Sequence, residues 1–522
     1  MSASNAPCAT YACLPCRTLK RKCTRELPVC SLCLRLNKIC DYAATNNQAS
    51  NIEPVQADTS SAGQADLGSA QPISTIPRLI QLPTRYFLDS DSHQAAGYSS
   101  APRCTVPPSM IDCLVYVEDY QSICDAYFSS IQAWFPFLSE KRMAARLQNS
   151  GPEGDLRLTL LLLSMKLVAT TPLDQDEALC SSIYQKAVEL SGTLERFGMI
   201  CLELLQSTIL ISIYEAGHGI YPPAFTSIGR AARLGLILGF HDRKNAPQFF
   251  KSPNTWTLRE EERRAWWAVV ILDRYVNLGI QNIPLAAPNP NNGDLLPCTE
   301  DRWKHGQIGI NEPLLVASLS EESNIGLYAN ICQAAHTTGR LLEHRNRTKA
   351  GADHRSQLME GQQLHHIITD LTTHTYREFT RSDTNISESR LTAIALCGSA
   401  RLILANMYGC NEYYPTDNGP RLPEETAMQE ASLNSIEEMI NCSCVLGEYI
   451  SSLDDREIAS TSPLVCHFLY LAASQCAWVV REFQDPEQKT RLGVILQGLM
   501  ALQPRWKVVD DYLKLLQEEE MS

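Results

Sequence analysis

At 522 residues the chain is longer than one hydrophobic core normally serves, so two or more folding units are expected. Its 44% apolar content supports a large globular body, yet no uninterrupted apolar run reaches the roughly 18 residues of a membrane span; even 156–169 is broken by Arg157, Thr159, Ser164 and Lys166. A net charge of -13 argues, as an average, against nucleic acid as a partner.

The opening MSASNAPCAT lacks the basic-then-apolar pattern of a secretory leader, so a reducing compartment with free thiols is the expectation, and the sequons at Asn346, Asn385 and Asn441 read as chance matches. Six of the 20 cysteines then stand close together, Cys13, Cys16, Cys23, Cys30, Cys33 and Cys40, in the duplicated spacing C-x2-C-x6-C. One tetrahedral zinc takes four ligands and two take eight, so six thiolates serve two ions only if two sulfurs bridge them. The count therefore points to a binuclear cluster. Three disulfides are the competing reading, which reducing surroundings and the duplicated spacing oppose.

Between Cys13 and Cys40 the bases Arg17, Lys20, Arg21, Lys22, Arg25, Arg35 and Lys38 meet one acid, Glu26. This head carries +6, and with the whole chain at -13 the remainder is left at -19. Six thiolates around two Zn2+ carry -2 formally, so the metal-bound head stays cationic. Basic residues between the second and third ligands of a metal loop point to DNA rather than to an ordinary solvated face.

From Ala43 to Arg85 there is no aromatic residue, and Asn, Gln, Ser, Ala, Gly and Pro dominate. Such a stretch buries too little apolar area to offset its ordering entropy, so 43–105 reads as a disordered, flexible linker, with an ordered turn near Leu79 to Leu88 left open. No heptad run precedes Met110, so a zipper-type dimer is not supported, and a homodimer would have to form without an evident coiled coil.

Beyond Val106 the apolar positions recur at three and four residues, predicting a large all-α body over 106–520. Expected helices are 123–134, 156–169, 183–196, 200–215, 225–238, 258–278, 325–344, 356–379, 391–407, 427–453, 463–483 and 505–517. Ser462 before Pro463 is a strong start signal. The segment with Leu202, Leu204, Leu205, Ile209, Leu210, Ile211 and Ile213 is apolar nearly all round and belongs in the middle of the bundle. The acidic, apolar tail from Asp510 to Met521 is either a coactivator contact or an ordinary amphipathic last helix.

The head, residues 8–42, resembles the fungal six-cysteine binuclear zinc cluster family of transcription factors on CLPCRTLKRKCTRELPVCSLCLRLNKIC. The resemblance implies two zinc ions bridged by Cys13 and Cys30, with a helix after the second cysteine entering the major groove. Lys20 matches the family's base-contacting lysine, Arg17 and Lys22 its basic positions, and Pro28 its loop proline; Leu19 departs from the basic residue usual there. CGG-like sites follow, lysine donating to guanine O6 and N7. Arg21, Arg25, Arg35 and Lys38 are assigned to phosphates. AYFSSIQAWFPFL, FTSIGRAARLGLILGFHDR and EEERRAWWAVVILDRYVNLGI are similar, in order, to segments of the family's regulatory region, except that Ile280 and Gln281 follow Gly279 where relatives often have Arg-Pro.

Other clusters read as structure. Trp266 and Trp267 are core, Asp273 and Arg274 an ion pair, Glu260 and Arg264 a helix-surface pair of small value, and His241 a cation near a helix C-terminus. His365, His366 and Asp370 lack a third ligand at fixed spacing, and Cys442 with Cys444 is equally unsupported as a metal site. No common hydrolase, nucleotide-binding or metalloprotease motif occurs, so no enzyme is expected, and a deep polar pocket with convergent ionisable groups would be the sign of one. The expected protein is a nuclear regulator of RNA polymerase II transcription that binds double-stranded DNA and coregulators and no membrane, with a secondary-metabolite gene cluster as its target. The alternative is a zinc-scaffolded interaction protein without direct sequence readout.

Overall fold

The chain divides into two units, Met1–Ser74 and Thr75–Ser522. A computed structural model describes residues 9, 12–13, 16, 21–35, 40, 84–96, 116–150, 155–249, 255–314, 325–348, 354–381, 388–409 and 423–521. In the larger unit these residues form helices and turns, with one isolated bridge between Leu295 and Pro313 and no strand among them.

The helix Leu202–Gly217 lies at the centre of that unit, with every residue but Glu203 buried. Its lack of a polar face is the cause: it packs against Leu156–Ala169 on one side and Pro223–Ile237 on another, so no side is left for water. The helix Leu156–Ala169 has the predicted bounds, because Asp155 caps it by accepting the Arg157 N–H at 3.1 Å. The helix Pro463–Phe483 also begins as predicted. Ser462 Oγ accepts the Leu464 N–H at 3.3 Å, and the missing N–H of Pro463 costs nothing in the first turn.

Helices at Glu140–Ser150, Gln175–Cys180, Glu300–Lys304, Asp455–Ala459 and Pro486–Ala501 were not anticipated. Most are short or carry few apolar positions. The last contains two glycines, and one of them explains its packing: a Cβ on Gly498 would come within 2.5 Å of the Gly447 Cα, so the helices Pro423–Ser451 and Pro486–Ala501 touch backbone to backbone there.

Two helices, Thr84–Leu88 and Ser90–Ala95, fall inside the 43–105 stretch read as linker. Tyr86 ends the aromatic-free composition and anchors them. Its hydroxyl donates to the Ile237 carbonyl at 3.0 Å, and its ring meets Phe249 edge to face with centroids 5.1 Å apart. Glu388–Gly409 and Pro463–Phe483 are long and apolar enough to cross a bilayer, by mean hydropathy rather than by an uninterrupted apolar run. Most of each lies inside the unit, where apolar side chains on all sides meet protein.

The three family-like segments interlock through charges that look superficial in sequence. Arg264 and Glu260 are both fully buried, which corrects the expectation of a surface pair. Arg264 donates to Glu260 Oε1 at 3.1 Å, to the Pro136 carbonyl at 2.7 Å and to the Cys298 carbonyl at 2.6 Å. Glu260 also accepts from the Cys298 N–H at 2.8 Å and from Asn311 at 2.9 Å. Arg264 therefore fastens the first segment to the third, while Arg243 pairs with Glu262 to fasten the second to the third. Trp266 and Trp267 are buried as expected, and Arg274 bonds Asp273 at 2.6 Å.

His241 is not the expected cation, because burial, the main influence, pushes its pKa below the ordinary histidine value despite Asp242 and Asp294, and its Nδ1 has no hydrogen-bond partner. The last helix, Val508–Met521, uses Val508, Val509 and Leu516 to pack into the core, as an amphipathic closing helix does.

Candidate metal centre and nucleic-acid interface

Among the described residues of the N-terminal unit the buried core consists of four cysteines, Cys13, Cys16, Cys30 and Cys33, with Cys23, Cys40, Val29 and Leu32 partly buried beside them. Sulfur thus supplies the described interior of this unit. The Sγ atoms form two four-membered groups: Cys13, Cys16, Cys23 and Cys30, and Cys13, Cys30, Cys33 and Cys40. Cys13 and Cys30 belong to both.

The Sγ–Sγ separations are 3.7 Å for Cys13–Cys30, 3.6 Å for Cys13–Cys33, 3.6 Å for Cys16–Cys30 and 3.8 Å for Cys13–Cys23. Sulfurs held at about 2.3 Å by one tetrahedral zinc stand about 3.8 Å apart. A disulfide would require about 2.05 Å, and all of these cysteines are free thiols. Six thiolates this close repel one another, and two divalent cations turn that repulsion into attraction. The donor set therefore fits a shared pair of zinc ions.

Local hydrogen bonds prepare individual sulfurs. Cys30 precedes the short helix Ser31–Arg35, and its Sγ accepts the Cys33 N–H at 3.4 Å, the position a side-chain oxygen takes at an ordinary N-cap. Cys40 Sγ accepts the Cys30 N–H at 3.3 Å. Burial pushes the Cys13, Cys16 and Cys33 thiols up, Cys33 to about 12. At Cys30 burial pushes the same way but is outweighed by donors, the Cys33 N–H first, which bring it down to about 6.

Thr24 was missed by sequence reasoning. Its Oγ1 accepts the Ser31 N–H at 2.9 Å, tying the loop after Cys23 to the start of the helix, and also donates at 3.2 Å to Glu26, the one acid between Cys13 and Cys40. A threonine directly after a ligand cysteine is too common a signal to have revealed this. Arg25 adopts a left-handed backbone, φ 61°, and its carbonyl accepts the Ala9 N–H at 2.7 Å.

Of the residues assigned to DNA, Arg21, Lys22, Arg25 and Arg35 are exposed. Arg17, Lys20 and Lys38 lie outside the described residues, as does Leu19. Among the described residues the groups suited to a metal are the two cysteine sets alone; His365, His366 and Asp370 form none, nor do Cys442 and Cys444. Buried body thiols are pushed up by desolvation, Cys397 and Cys442 to about 12, the behaviour of small hydrophobes rather than ligands.

The pocket criterion for an enzyme is met only in part. A cavity of about 710 Å³ in the larger unit has a mixed wall, aliphatic at Leu278, Leu358, Ile403 and Leu471 and polar at Gln357, Asn406 and Tyr408, with Arg345, His354 and His467 around it. Burial, then Arg345, brings His467 down to about 4, so its imidazole is uncharged near neutral pH.

Residues 11–49 match the model of the fungal Zn(2)-Cys(6) binuclear cluster domain, and residues 124–348 that of the fungal specific transcription factor domain. Transcription factor BOA15 of Botryotinia fuckeliana is 33% identical over 179 residues, 34% of this chain and 98% of that protein. The depudecin biosynthesis cluster-specific transcription activator DEP6 of Fusarium langsethiae is 24% identical, the match taking in 53% of this chain and 57% of that protein. The pigment biosynthesis transcriptional activator pigB of Monascus ruber is 24% identical, with 64% of each chain matched. The chain thus spans nearly all of the first relative and less than two thirds of the other two.

Proposed function

The chain belongs to the fungal Zn(2)-Cys(6) transcription factors, whose cluster domain binds two zinc ions and DNA, and from this we propose that it is a sequence-specific regulator of RNA polymerase II transcription acting in the nucleus. In this reading Cys13, Cys16, Cys23, Cys30, Cys33 and Cys40 hold the ions, with Cys13 and Cys30 bridging. The observation that carries it is that these two sulfurs stand in both four-sulfur groups, as six ligands serving two tetrahedral ions require. When bound, the zinc supplies cross-linking and counter-charge, and the protein's own residues do the recognition.

Lys20 donates to guanine O6 and N7 in CGG-like sites, flanked by Arg17 and Lys22. Arg21, Arg25, Arg35 and Lys38 neutralise phosphates, giving salt-dependent affinity without base information. The domains run as a cluster over 8–42, a tether from 43 up to the anchored helices at 84–96, and a helical regulatory body that takes in those helices and continues over 106–520, engages coregulators and catalyses no reaction. The relatives named for biosynthetic gene clusters favour a secondary-metabolite gene cluster as the target.

The test is a titration of the full zinc-loaded chain with a CGG-containing duplex and with a scrambled one. Lys20→Ala is expected to cost about 1–3 kcal/mol on the CGG duplex and to blur the preference. Equal binding of both duplexes, unchanged by Lys20→Ala, would replace this reading with the zinc-scaffolded interaction protein.

A further inference from the structure

The helix Trp256–Val276 ends in a turn whose Leu278 and Asn277 carbonyls accept from Arg345 at 2.6 and 2.9 Å, with the Ile280 carbonyl a third acceptor. Arg345 is only 6% exposed, and none of the ion pairs among the described residues involves it. The neighbouring bases His344 and Arg347 both use Glu360. A buried guanidinium ordinarily has an acid as partner, because carbonyl dipoles offset only part of its lost hydration.

Arg345 Nε is buried without any hydrogen-bond partner, and so is Nε2 of Gln357, a residue only 9% exposed. Both side chains line the same cavity of about 710 Å³, within the size range of small-molecule sites. Leu278, Leu358, Ile403 and Leu471 form its apolar wall, and no Asp or Glu stands among its described lining residues. His467 lines it too, as a neutral ring. A chamber with an aliphatic wall on one part, a cation that no acid pairs among the described residues, and two idle donors is complementary to an apolar body bearing an acceptor-only, negatively charged head.

We propose that this cavity binds a small apolar oxyanion, a hydrophobic carboxylate or its sulfonate analogue, with the head on Arg345 and Gln357 and the body against the leucines. The site lies wholly within the Thr75–Ser522 unit and stands apart from the zinc cluster reading.

The experiment uses the full chain and two fluorescent probes of nearly the same apolar body, anilinonaphthalenesulfonate, which is anionic, and N-phenylnaphthylamine, which is neutral. The anionic probe is expected to bind saturably at one site, to be displaced by decanoate, and to bind more tightly than the neutral one. Gln357→Leu removes an unpartnered donor while keeping the volume, so the ligand-free fold holds and only the anionic probe weakens, by about tenfold. Arg345→Met abolishes the preference for the anion, and Gln357→Glu, which places a second anion at the head, weakens that probe further. Absence of saturable binding, equal affinity for the two probes, or unchanged anion binding by Gln357→Leu overturns the proposal. Removing zinc with a chelator leaves probe binding intact, so failure here and failure of the DNA reading are told apart.

Discussion

Bridging sulfurs and terminal sulfurs respond differently to removal, and the geometry ranks them. Cys13 and Cys30 lie in both four-sulfur groups, whereas Cys16, Cys23, Cys33 and Cys40 lie in one each. A structural zinc contributes about 10–16 kcal/mol spread over four ligands, hence roughly 3 kcal/mol per sulfur per ion. Cys16→Ala or Cys40→Ala therefore weakens one ion by roughly a hundredfold in dissociation constant. Cys30→Ala takes a ligand from both, about 6 kcal/mol in total. Among the described residues, the side chains other than cysteine that pack against this core are Val29 and Leu32, each burying less than the full side chain worth about 1.5–3 kcal/mol, so they offset little of that loss. Zinc per chain, measured by elemental mass spectrometry after dialysis against a weak chelator, is expected to fall from two to between one and two in the Cys16 and Cys40 variants. It should fall close to zero in Cys13→Ala and Cys30→Ala, with loss of CGG binding. Equal zinc retention by Cys30→Ala and Cys16→Ala would refute the shared-ligand reasoning.

Other consequences concern the body. Arg264→Met leaves Glu260 buried without its main counter-charge and should cost about 3–5 kcal/mol in urea unfolding, against under 0.5 kcal/mol if the pair were superficial. Glu215 is buried beside Tyr184, and burial pushes its carboxyl up to about 7. Its folded pKa is above the unfolded value, so protonation favours the fold: the contribution is full below about pH 4.5, is lost as pH rises towards 7, and amounts to roughly 3 kcal/mol. Glu215→Gln should flatten that slope in melting curves between these two pH values. A Cβ at Gly217 would lie 2.2 Å from the Trp506 ring, so Gly217→Ala should destabilise by about 1–3 kcal/mol. Gly192, also helical, has nothing within 4 Å of the same position, and Gly192→Ala should stabilise by up to about 1 kcal/mol in the same assay.

The clustered cysteines, the basic head and the helical body were all legible from residue order, because each depends on neighbours in the chain. Chelation is governed by spacings of two and six residues within 13–40, and a helix by periodicity and caps, as the matching bounds of Leu156–Ala169 and Pro463–Phe483 illustrate. Residue order alone asks for two bridging sulfurs without saying which; family resemblance implies Cys13 and Cys30, and these are the two sulfurs that stand in both four-sulfur groups. Tertiary structure alone decided what happens to charges. Glu260 and Arg264 look like any exposed i,i+4 pair until Pro136 and Cys298, far away in the chain, close over them. Arg345 and Gln357 carry no motif, and become a candidate site only because the fold leaves a space in front of them with no acid among its described lining residues. Spacing and periodicity are written in the chain, whereas burial and the partners of a buried charge depend on which remote segments arrive to exclude water.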